Sequence, residues 1–234
     1  SSTNEEIKEL VQKEKFTEPV CLYSECQSKG KGQLGNPWLS EPFKNLTCSF
    51  HFDNLSIPVE KQFNLSVFVA LAIAQTMDEI GIRNQIKWPN DILAGKNQKI
   101  CGILIENTLS GSLIKSSVIG IGLNVNQKKF PDLPNATSIA LELDKDFQVD
   151  FVLDRLIINL KKINKQNLLL VDFEQYYQHL FRYKQLSYFR NCKGQIFKGK
   201  IQGVTSSGLL QVYKFQDQRI ENYDMKEIKF LDQL

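Results

Sequence analysis

The sequence is poor in histidine and cysteine, the residues that most often hold zinc. It contains 2 histidines and 5 cysteines among 234 residues, and no two cysteines form a Cys-x-x-Cys pair. His51 and His179 stand far apart in apolar, aromatic surroundings, whereas a zinc site needs clustered ligands. We therefore expect no metal held by the protein itself. The odd number of scattered cysteines favours a reduced, cytoplasmic protein over a disulfide framework.

Long apolar runs and a strong charge bias are also missing. The longest apolar stretch, FVALAIA, falls far short of the roughly 18 residues of a membrane-spanning helix. The polar, acidic start SSTNEEIKEL does not have the pattern of a signal peptide. With 29 basic and 26 acidic residues, the net charge of +3 is too balanced to indicate nucleic-acid binding by itself. We expect neither a membrane nor DNA among the partners.

What the chain does have is enough apolar sequence, 42% with 15 phenylalanines, for a sizeable core. Hydrophobic periodicity predicts a capped first helix, a long buried helix that ends at Gly81, and several strands between and after them. The predicted helices cover SSTNEEIKELVQKEK, FNLSVFVALAIAQTMDEIG, TSIALEL, DFVLDRLIINLKKIN and FEQYYQHLF. The predicted strands cover PVCLYSEC, NLTCSFHF, QIKW, DILA, KICGILIENTL and KSSVIGIGLNVN, with AGKNQK as a hairpin turn.

From about Asn191 the pattern changes to short strands separated by turns, which predicts a small C-terminal β-barrel. We place the domain boundary at residue 186, so that residues 1–186 form one domain and residues 187–234 the other. The predicted class is α+β, with a mixed or antiparallel central sheet flanked by helices.

The segment GKGQLG at residues 30–35 matches the dinucleotide fingerprint Gly-x-Gly-x-x-Gly. That fingerprint requires a helix that opens inside the loop and meets a pyrophosphate. Pro37 follows two residues after the third glycine and disfavours such a helix, so we reject a nicotinamide-dependent oxidoreductase. A flexible loop remains, with Lys29 and Lys31 to supply charge; a solvated turn is an equally good interpretation of this segment alone.

A second group of residues, KWPNDILAGKNQKICGILIE at 87–106, is less ordinary. Lys87, Asn90 and Asp91 bracket a Trp-Pro pair whose proline fixes the turn. The predicted hairpin returns Lys99 opposite them, and Gly102 follows inside a strand, where glycine often marks close approach by a ligand. Each residue alone has a structural explanation, but the whole set favours a binding site.

These segments resemble biotin protein ligases in order and spacing. The matching stretches are SSTN, QSKGKGQLGNPW, KWPNDI, KICGILIE and GIGLNVN. The resemblance covers essentially the whole chain and implies the catalytic fold shared with class II aminoacyl-tRNA synthetases, followed by an SH3-like β-barrel. Because no winged-helix segment precedes SSTN, the chain resembles the short form of the family, which lacks the DNA-binding domain.

The resemblance implies a two-step reaction with ATP, Mg²⁺ and biotin. The biotin carboxylate attacks the α-phosphate to give biotinyl-5′-AMP, and a lysine of a biotin carboxyl carrier domain, as in acetyl-CoA carboxylase, then takes the biotinyl group. Lys31, Lys99, Lys87 and Asp91 are the implied catalytic residues, with Mg²⁺ on the phosphates. The family contains both monomers and homodimers.

The resemblance also implies two groups of binding residues. The implied biotin-binding residues are Ser2, Thr3, Asn4, Gln27, Gly30, Lys31, Gly32, Gln33, Lys99, Gly102 and Gly120. The implied ATP-binding residues are Lys31, Trp38, Asn90, Asp91, Lys99 and Asn124. Gln33 and Asn36 depart from the family, in which arginine is frequent at both positions. We therefore expect retention of the adenylate to depend more on Lys31 and Lys99.

Two alternatives stay open. A lipoate ligase or octanoyltransferase shares the architecture, although KWPND argues against it. A non-catalytic nucleic-acid-binding module could be built on the C-terminal barrel, although its basic runs are short and charge runs usually mark a solvated face.

Overall fold

The computed structural model describes residues 1–231 and confirms the α+β class, with a central sheet in which all paired strands are antiparallel. Its strand order is β1-β2-β7-β6-β5-β4, and β3 pairs with the N-terminal end of β7. The strands are β1 Val20–Ser24, β2 Leu46–Phe52, β3 Ile57–Pro58, β4 Asn84–Lys87, β5 Asp91–Ala94, β6 Gln98–Ser110 and β7 Leu113–Leu123.

Helices cover both faces of this sheet. The first helix lies on the face of β2 and β7, and its start is fixed by Ser2, whose hydroxyl accepts from the backbone N–H of Glu5. The long apolar second helix packs on the opposite face against the fourth helix, and Gly81 follows its end at φ +87°. The helices are α1 Thr3–Lys13, α2 Gln62–Glu79, α3 Ile139–Leu143, α4 Val149–Leu160, α5 Lys165–Leu169 and α6 Phe173–His179.

A second antiparallel sheet forms the C-terminal part of the chain, with the order β11-β10-β9-β8-β12. Its strands are β8 Leu186–Asn191, β9 Ile196–Val204, β10 Leu210–Lys214, β11 Arg219–Tyr223 and β12 Ile228–Leu231. A core of stacked aromatic rings, including Phe189, Phe197 and Tyr223, holds it together. The predicted small β-domain is therefore present.

The two sheets are joined by specific contacts. Trp88 is buried at the end of β4 and donates from Nε1 to the Gly208 carbonyl oxygen in the C-terminal sheet at 2.9 Å. The Phe181 and Phe230 rings lie 6.1 Å apart, and Arg182 donates to the Leu231 carbonyl oxygen at 2.6 Å. These contacts hold the loop between β9 and β10 next to the turn that follows β4, and β12 next to the segment that follows α6.

Three elements differ from the prediction, and one of them is the two-residue strand β3, which the sequence did not predict. The sequence analysis also missed α5, a five-residue helix capped by Asn164. The C-terminal sheet begins at Leu186, before the change of pattern seen at Asn191. The predicted division into residues 1–186 and 187–234 stays a prediction, and residues 232–234 lie outside the described part. Across residues 1–231, the helices are all too short or too polar to cross a bilayer.

Candidate active site

A glycine-floored slot lies on the face of the central sheet that α1 covers. Gly102 of β6 is paired with Gly122 of β7. Gly120 precedes Gly122 by two residues and therefore lies on the same face of β7. Since glycine lacks a side chain, the three positions leave a trough between β6 and β7. A Cβ atom on Gly120 would lie 2.3 Å from Asn4 Oδ1, so this position requires glycine.

Trp38 fills most of this trough. A Cβ atom on Gly122 would lie 2.3 Å from Trp38 Cε2, and one on Gly102 would lie 3.0 Å from Trp38 Cζ3. The free volume left in the slot is about 50 Å³, far below the ~300 Å³ or more of a typical ligand pocket. The indole Nε1 is buried without a hydrogen-bond partner among the described residues. A bulky ligand can therefore enter the slot only if the indole moves.

The closed end of the slot is a network of buried polar side chains from α1 and β2. Ser49 is 0% exposed, and its Oγ lies 2.7 Å from Thr3 Oγ1 and 2.5 Å from Asn4 Oδ1. Gln27 Oε1 accepts from the Thr3 backbone N–H at 2.9 Å and lies 3.2 Å from Thr3 Oγ1. Ser2 also lines the slot, so its position as helix cap does not remove it from the site.

Glu106 closes the network on the side of β6. Its Oε2 accepts from Asn4 Nδ2 at 2.7 Å and its Oε1 from Lys8 Nζ at 2.6 Å. Burial raises the pKa of the Glu106 carboxyl, but the hydrogen bonds from Lys8 and Asn4 outweigh that effect and lower the pKa below its ordinary value. Glu106 is therefore ionised at neutral pH.

The glycine loop folds over the slot as a short irregular turn, not as a helix N-terminus. Gly30 and Trp38 are held together by the Trp38 N–H bond to the Gly30 carbonyl oxygen at 3.0 Å, and a Cβ atom on Gly30 would lie 2.4 Å from the Trp38 carbonyl oxygen. Glycine at position 30 therefore allows the two ends of the loop to pack closely together. Gln33 lines the slot, and its Oε1 is buried without a hydrogen-bond partner among the described residues.

The two lysines predicted to act together both line this slot. Lys31 Nζ is ion-paired with Glu5, whose hydrogen bond and charge raise the pKa of Lys31. Lys99 Nζ lies 2.7 Å from Asp91 Oδ1 and 5.6 Å from the centroid of the Trp38 ring. Each amine is thus paired with a carboxylate in this state.

A larger cavity of about 690 Å³ adjoins the slot. Lys99 and Trp38 border both spaces, and the adjoining ends of β4 and β5 contribute Lys87 and Asp91. The opposite wall comes from the loop at residues 132–136 and from the C-terminal part of the chain through Phe181, Arg182 and Phe230. This cavity combines cationic and aromatic groups, which suits a ligand with both phosphate and a flat ring.

The structure brings most of the predicted site residues to these two spaces. Those that line the slot, the larger cavity or both are Ser2, Thr3, Gln27, Lys31, Gly32, Gln33, Trp38, Lys87, Asn90, Asp91, Lys99, Gly102, Gly120 and Asn124. Asn90 and Asn124 also have structural partners, since their amide groups donate to the carbonyl oxygens of Ile103 and Thr137. Asn4 and Gly30 lie behind the lining, as supports.

Several residues of the site were not predicted from the sequence. Thr47 and Cys48 of β2 line the slot, and Ser49 and Glu106 hold its closed end. The alternation of NLTCSFHF could have indicated Thr47 and Ser49, because they share a strand face with the partner glycines of β7. Within residues 1–231, no cluster of three or more metal-ligating side chains is formed.

The first 124 residues match the family described as the biotin/lipoate A/B protein ligase family. The chain is 35% identical over 135 residues to the bifunctional ligase/repressor BirA of Bacillus subtilis, covering 56% of this chain and 41% of the relative. It is 28% identical over 208 residues to the biotin–protein ligase of Homo sapiens, covering 80% of this chain and 27% of the relative. The chain thus spans less than half the length of these curated relatives.

Among solved structures, the biotin protein ligase from Aquifex aeolicus in complex with biotin and ATP superposes with a TM-score of 0.75 at 24% sequence identity. The match covers 100% of this chain and 96% of that chain. The ligase from Leishmania major in complex with biotinyl-5-AMP superposes with a TM-score of 0.62 at 20% identity, covering 95% of each chain. These likenesses establish the fold across both sheets.

Proposed function

The chain belongs to the biotin/lipoate A/B protein ligase family, and we propose that it is a biotin protein ligase. In this proposal it joins biotin to ATP to form biotinyl-5′-AMP and pyrophosphate, and then transfers the biotinyl group to a lysine of a carrier domain with release of AMP. The names of the relatives, which include biotin–protein ligase and biotin–[acetyl-CoA-carboxylase] ligase, support this assignment.

The observation that carries the proposal is the position of Lys99, which borders both the glycine-floored slot and the larger cavity. We assign biotin to the slot, with its ring at the closed polar end, and ATP to the larger cavity. The biotin carboxylate and the α-phosphate then meet at the junction beside Lys99. A lysine at this point provides the compact positive charge that two approaching anions require.

Lys31, Lys87 and Asp91 have supporting roles in this proposal. Lys31 leaves Glu5 when the glycine loop closes on the ligand, and Lys87 adds positive charge to the phosphate side of the larger cavity. Asp91 holds Lys99 at the junction through their 2.7 Å ion pair. Mg²⁺ enters with ATP as a substrate complex and neutralises phosphate charge.

Trp38 must leave the trough when biotin binds, because the free volume of about 50 Å³ cannot hold a bicyclic ligand beside it. We assign the displaced indole to the ATP side, where it packs against the adenylate. The closed loop then keeps water away from the reactive anhydride.

The acceptor in this proposal is a biotin carboxyl carrier domain of a carboxylase such as acetyl-CoA carboxylase, in the cytoplasm. The C-terminal β-domain takes part through Phe230 of β12, which forms one wall of the larger cavity. We place the functional boundary at residue 186, where β8 begins.

Incubation with biotin, Mg²⁺-ATP and a purified carrier domain tests the proposal. We expect a mass increase of one biotinyl group on the carrier, which requires ATP and is absent with a carrier whose acceptor lysine is replaced by arginine. The same reaction with lipoate or octanoate in place of biotin tests the other branch of the family. Modification by lipoate and not by biotin would contradict the assignment, as would no modification of any carrier.

A further inference from the structure

The balanced charge of the whole chain hides a difference between its two parts. Residues 1–186 contain 21 basic and 21 acidic residues, whereas residues 187–234 contain 8 basic and 5 acidic residues. The net charge of +3 therefore belongs entirely to the C-terminal part. A charge difference of this kind between two parts of one chain indicates an anionic partner for the basic part.

The C-terminal sheet presents four cations on one face. Along β8 and β9, buried side chains alternate with accessible ones, and the buried ones form the aromatic core. The accessible side chains of β8, β9 and β12 include Arg190, Lys198, Lys200 and Lys229. Two of them, Lys198 and Lys200, belong to β9, which is the central strand of this sheet.

The carboxylates of this part of the chain do not neutralise that face. Glu221 lies on the other face of β11 and, like Asp217 in the turn before it, pairs with Lys214. Asp224 and Glu227 lie in the turn after β11 and accept from backbone N–H groups of that turn. Within residues 1–231, the four cations of the accessible face therefore have no ion-pair partner.

Two of these cations also face each other at close range. Arg190 and Lys229 are directly opposite partners in the antiparallel pair of β8 and β12, and both are exposed. Like charges in this arrangement destabilise a sheet. An anion bound beside them would relieve the repulsion, so the pair favours a face that carries a ligand.

Aromatic side chains are interleaved with the cations. Tyr188 is paired with Lys198 across β8 and β9, and Tyr213 is paired with Lys200 across β9 and β10. The exposed ring of Phe215 lies edge-on to that of Tyr213, with the ring centroids 5.3 Å apart. The face thus combines positive charges for phosphate groups with flat rings for bases.

We propose that this face, the outer basic face, binds a single strand of nucleic acid. It consists of Tyr188, Arg190, Lys198, Lys200, Tyr213, Phe215 and Lys229. The cations contact the phosphates and hold the strand along the sheet, while the rings stack on unpaired bases. This binding is a further function, which does not depend on the proposed ligase reaction.

The composition of the outer basic face distinguishes nucleic acid from other anionic partners. Lysine is depleted at protein–protein interfaces, whereas Lys198 and Lys200 stand on the central strand. A membrane surface requires a continuous apolar face, but Leu186 and Ile220 lie at opposite ends of one row across the sheet, with Lys200 between them. Interfaces with nucleic acid are strongly positive, as this face is.

The test is fluorescence anisotropy of a labelled single strand of about twelve nucleotides with the complete chain, with RNA in one arm and DNA in the other. We expect binding that weakens as the salt concentration rises. If all four cations contact phosphates, the plot of log K against log salt concentration should have a slope of about −3. Binding in either arm supports the proposal, and a difference between the arms identifies the preferred sugar.

Three variants separate the parts of the outer basic face. The double variant Lys198→Gln with Lys200→Gln should bind more weakly and reduce the salt slope by about 1.4, since two phosphate contacts are lost. Tyr188→Leu should weaken binding by about fivefold with the slope unchanged, because it removes a stacking ring and no charge. Lys229→Glu should weaken binding but raise the midpoint of thermal denaturation, since it replaces a repulsion with Arg190 by an attraction. Weaker binding in a more stable variant cannot come from misfolding.

The matched control is the double variant Lys161→Gln with Lys165→Gln. It makes the same charge change at exposed positions at the end of α4 and in α5, and it should bind as the wild-type protein does. An equal loss of binding in this control would reduce the interaction to the net charge of the chain and overturn the proposal.

Four other results also overturn it. They are no binding to either strand at about 50 mM salt, a duplex bound as tightly as the single strand, displacement by poly-glutamate at equal charge, and displacement by Mg²⁺-ATP. Poly-glutamate would assign the face to an acidic protein, and ATP would assign the strand to the larger cavity. Because biotin transfer to the carrier is measured separately, failure of this proposal and failure of the proposed function are distinguishable.

Discussion

The ammonium group of Lys99 borders both the slot and the larger cavity, where the proposed reaction brings two anions together. Two unit charges about 4 Å apart repel by roughly 4 kcal/mol at an effective dielectric constant of about 20. This dielectric constant suits Lys99, because its side chain is 37% exposed and so lies near the solvent. A barrier higher by this amount slows the reaction by about a thousandfold.

Replacement by methionine keeps most of the volume and removes the charge. The substitution also strips Asp91 of its ion-pair partner, so a bare carboxylate then faces the junction of the two cavities. We therefore expect Lys99→Met to slow adenylate formation by about a thousandfold or more. The double variant Lys99→Met with Asp91→Asn should recover about tenfold of that loss, since the uncompensated anion is removed.

Single-turnover formation of biotinyl-5′-AMP, with protein in excess over biotin, measures this step without carrier or product release. Lys165→Met, at an exposed position in α5, is the matched control and should have the wild-type rate. A rate for Lys99→Met within about tenfold of wild type would refute the electrostatic argument. A double variant slower than Lys99→Met would show that Asp91 does more than hold the lysine.

Three further predictions concern the loop and the C-terminal sheet. Gln33→Arg should slow dissociation of biotinyl-5′-AMP, measured by retention of labelled adenylate during gel filtration; an unchanged dissociation rate would mean that residue 33 does not grip the adenylate. Residues 28–37 should be cleaved rapidly by protease in the free protein and slowly with biotin and ATP, and equal cleavage would remove the support for loop closure. The Tyr223 hydroxyl donates a hydrogen bond of 2.5 Å to Glu221. This bond, with smaller contributions from Arg219 and Lys214, outweighs the effect of burial and lowers the pKa of the Glu221 carboxyl from 4.5 to about 2. A carboxyl with a lowered pKa stabilises the fold above its unfolded pKa and loses that effect as the pH falls towards its folded pKa. Urea unfolding should therefore find Glu221→Gln less stable than wild type at pH 7 and the difference smaller at pH 3, and a constant difference would contradict this.

Many of the residues that line the two spaces could be predicted from the sequence, because they are concentrated in short motifs. Lys87, Asp91 and Gly102 belong to one continuous segment, the strands β4, β5 and β6, so their proximity follows from two successive hairpins. The long helix α2 could also be predicted from the sequence, because a long apolar run that ends at Gly81 is typical of a buried helix.

Contacts between distant segments could not be predicted in this way. The network of Asn4, Ser49 and Glu106 joins residues 45 and 102 positions apart, and only the strand register brings them together. The contribution of Phe230 to the larger cavity depends on how β12 packs against Phe181 and Lys87, for which the local sequence holds no signal. Residues of this kind set the shape and polarity of the site, while the motifs set its chemical groups.

Trp38 connects the binding of the two proposed substrates, because its indole now occupies the trough and also borders the larger cavity. A ligand that enters the trough must push the indole out, and the nearest open space is the larger cavity. In the proposed function, displacement therefore removes an aromatic ring from the biotin side and supplies one to the ATP side. Binding of biotin would thus create part of the ATP site. In the proposed ligase, biotin should consequently bind first, and ATP should bind more tightly to the biotin complex than to the free protein.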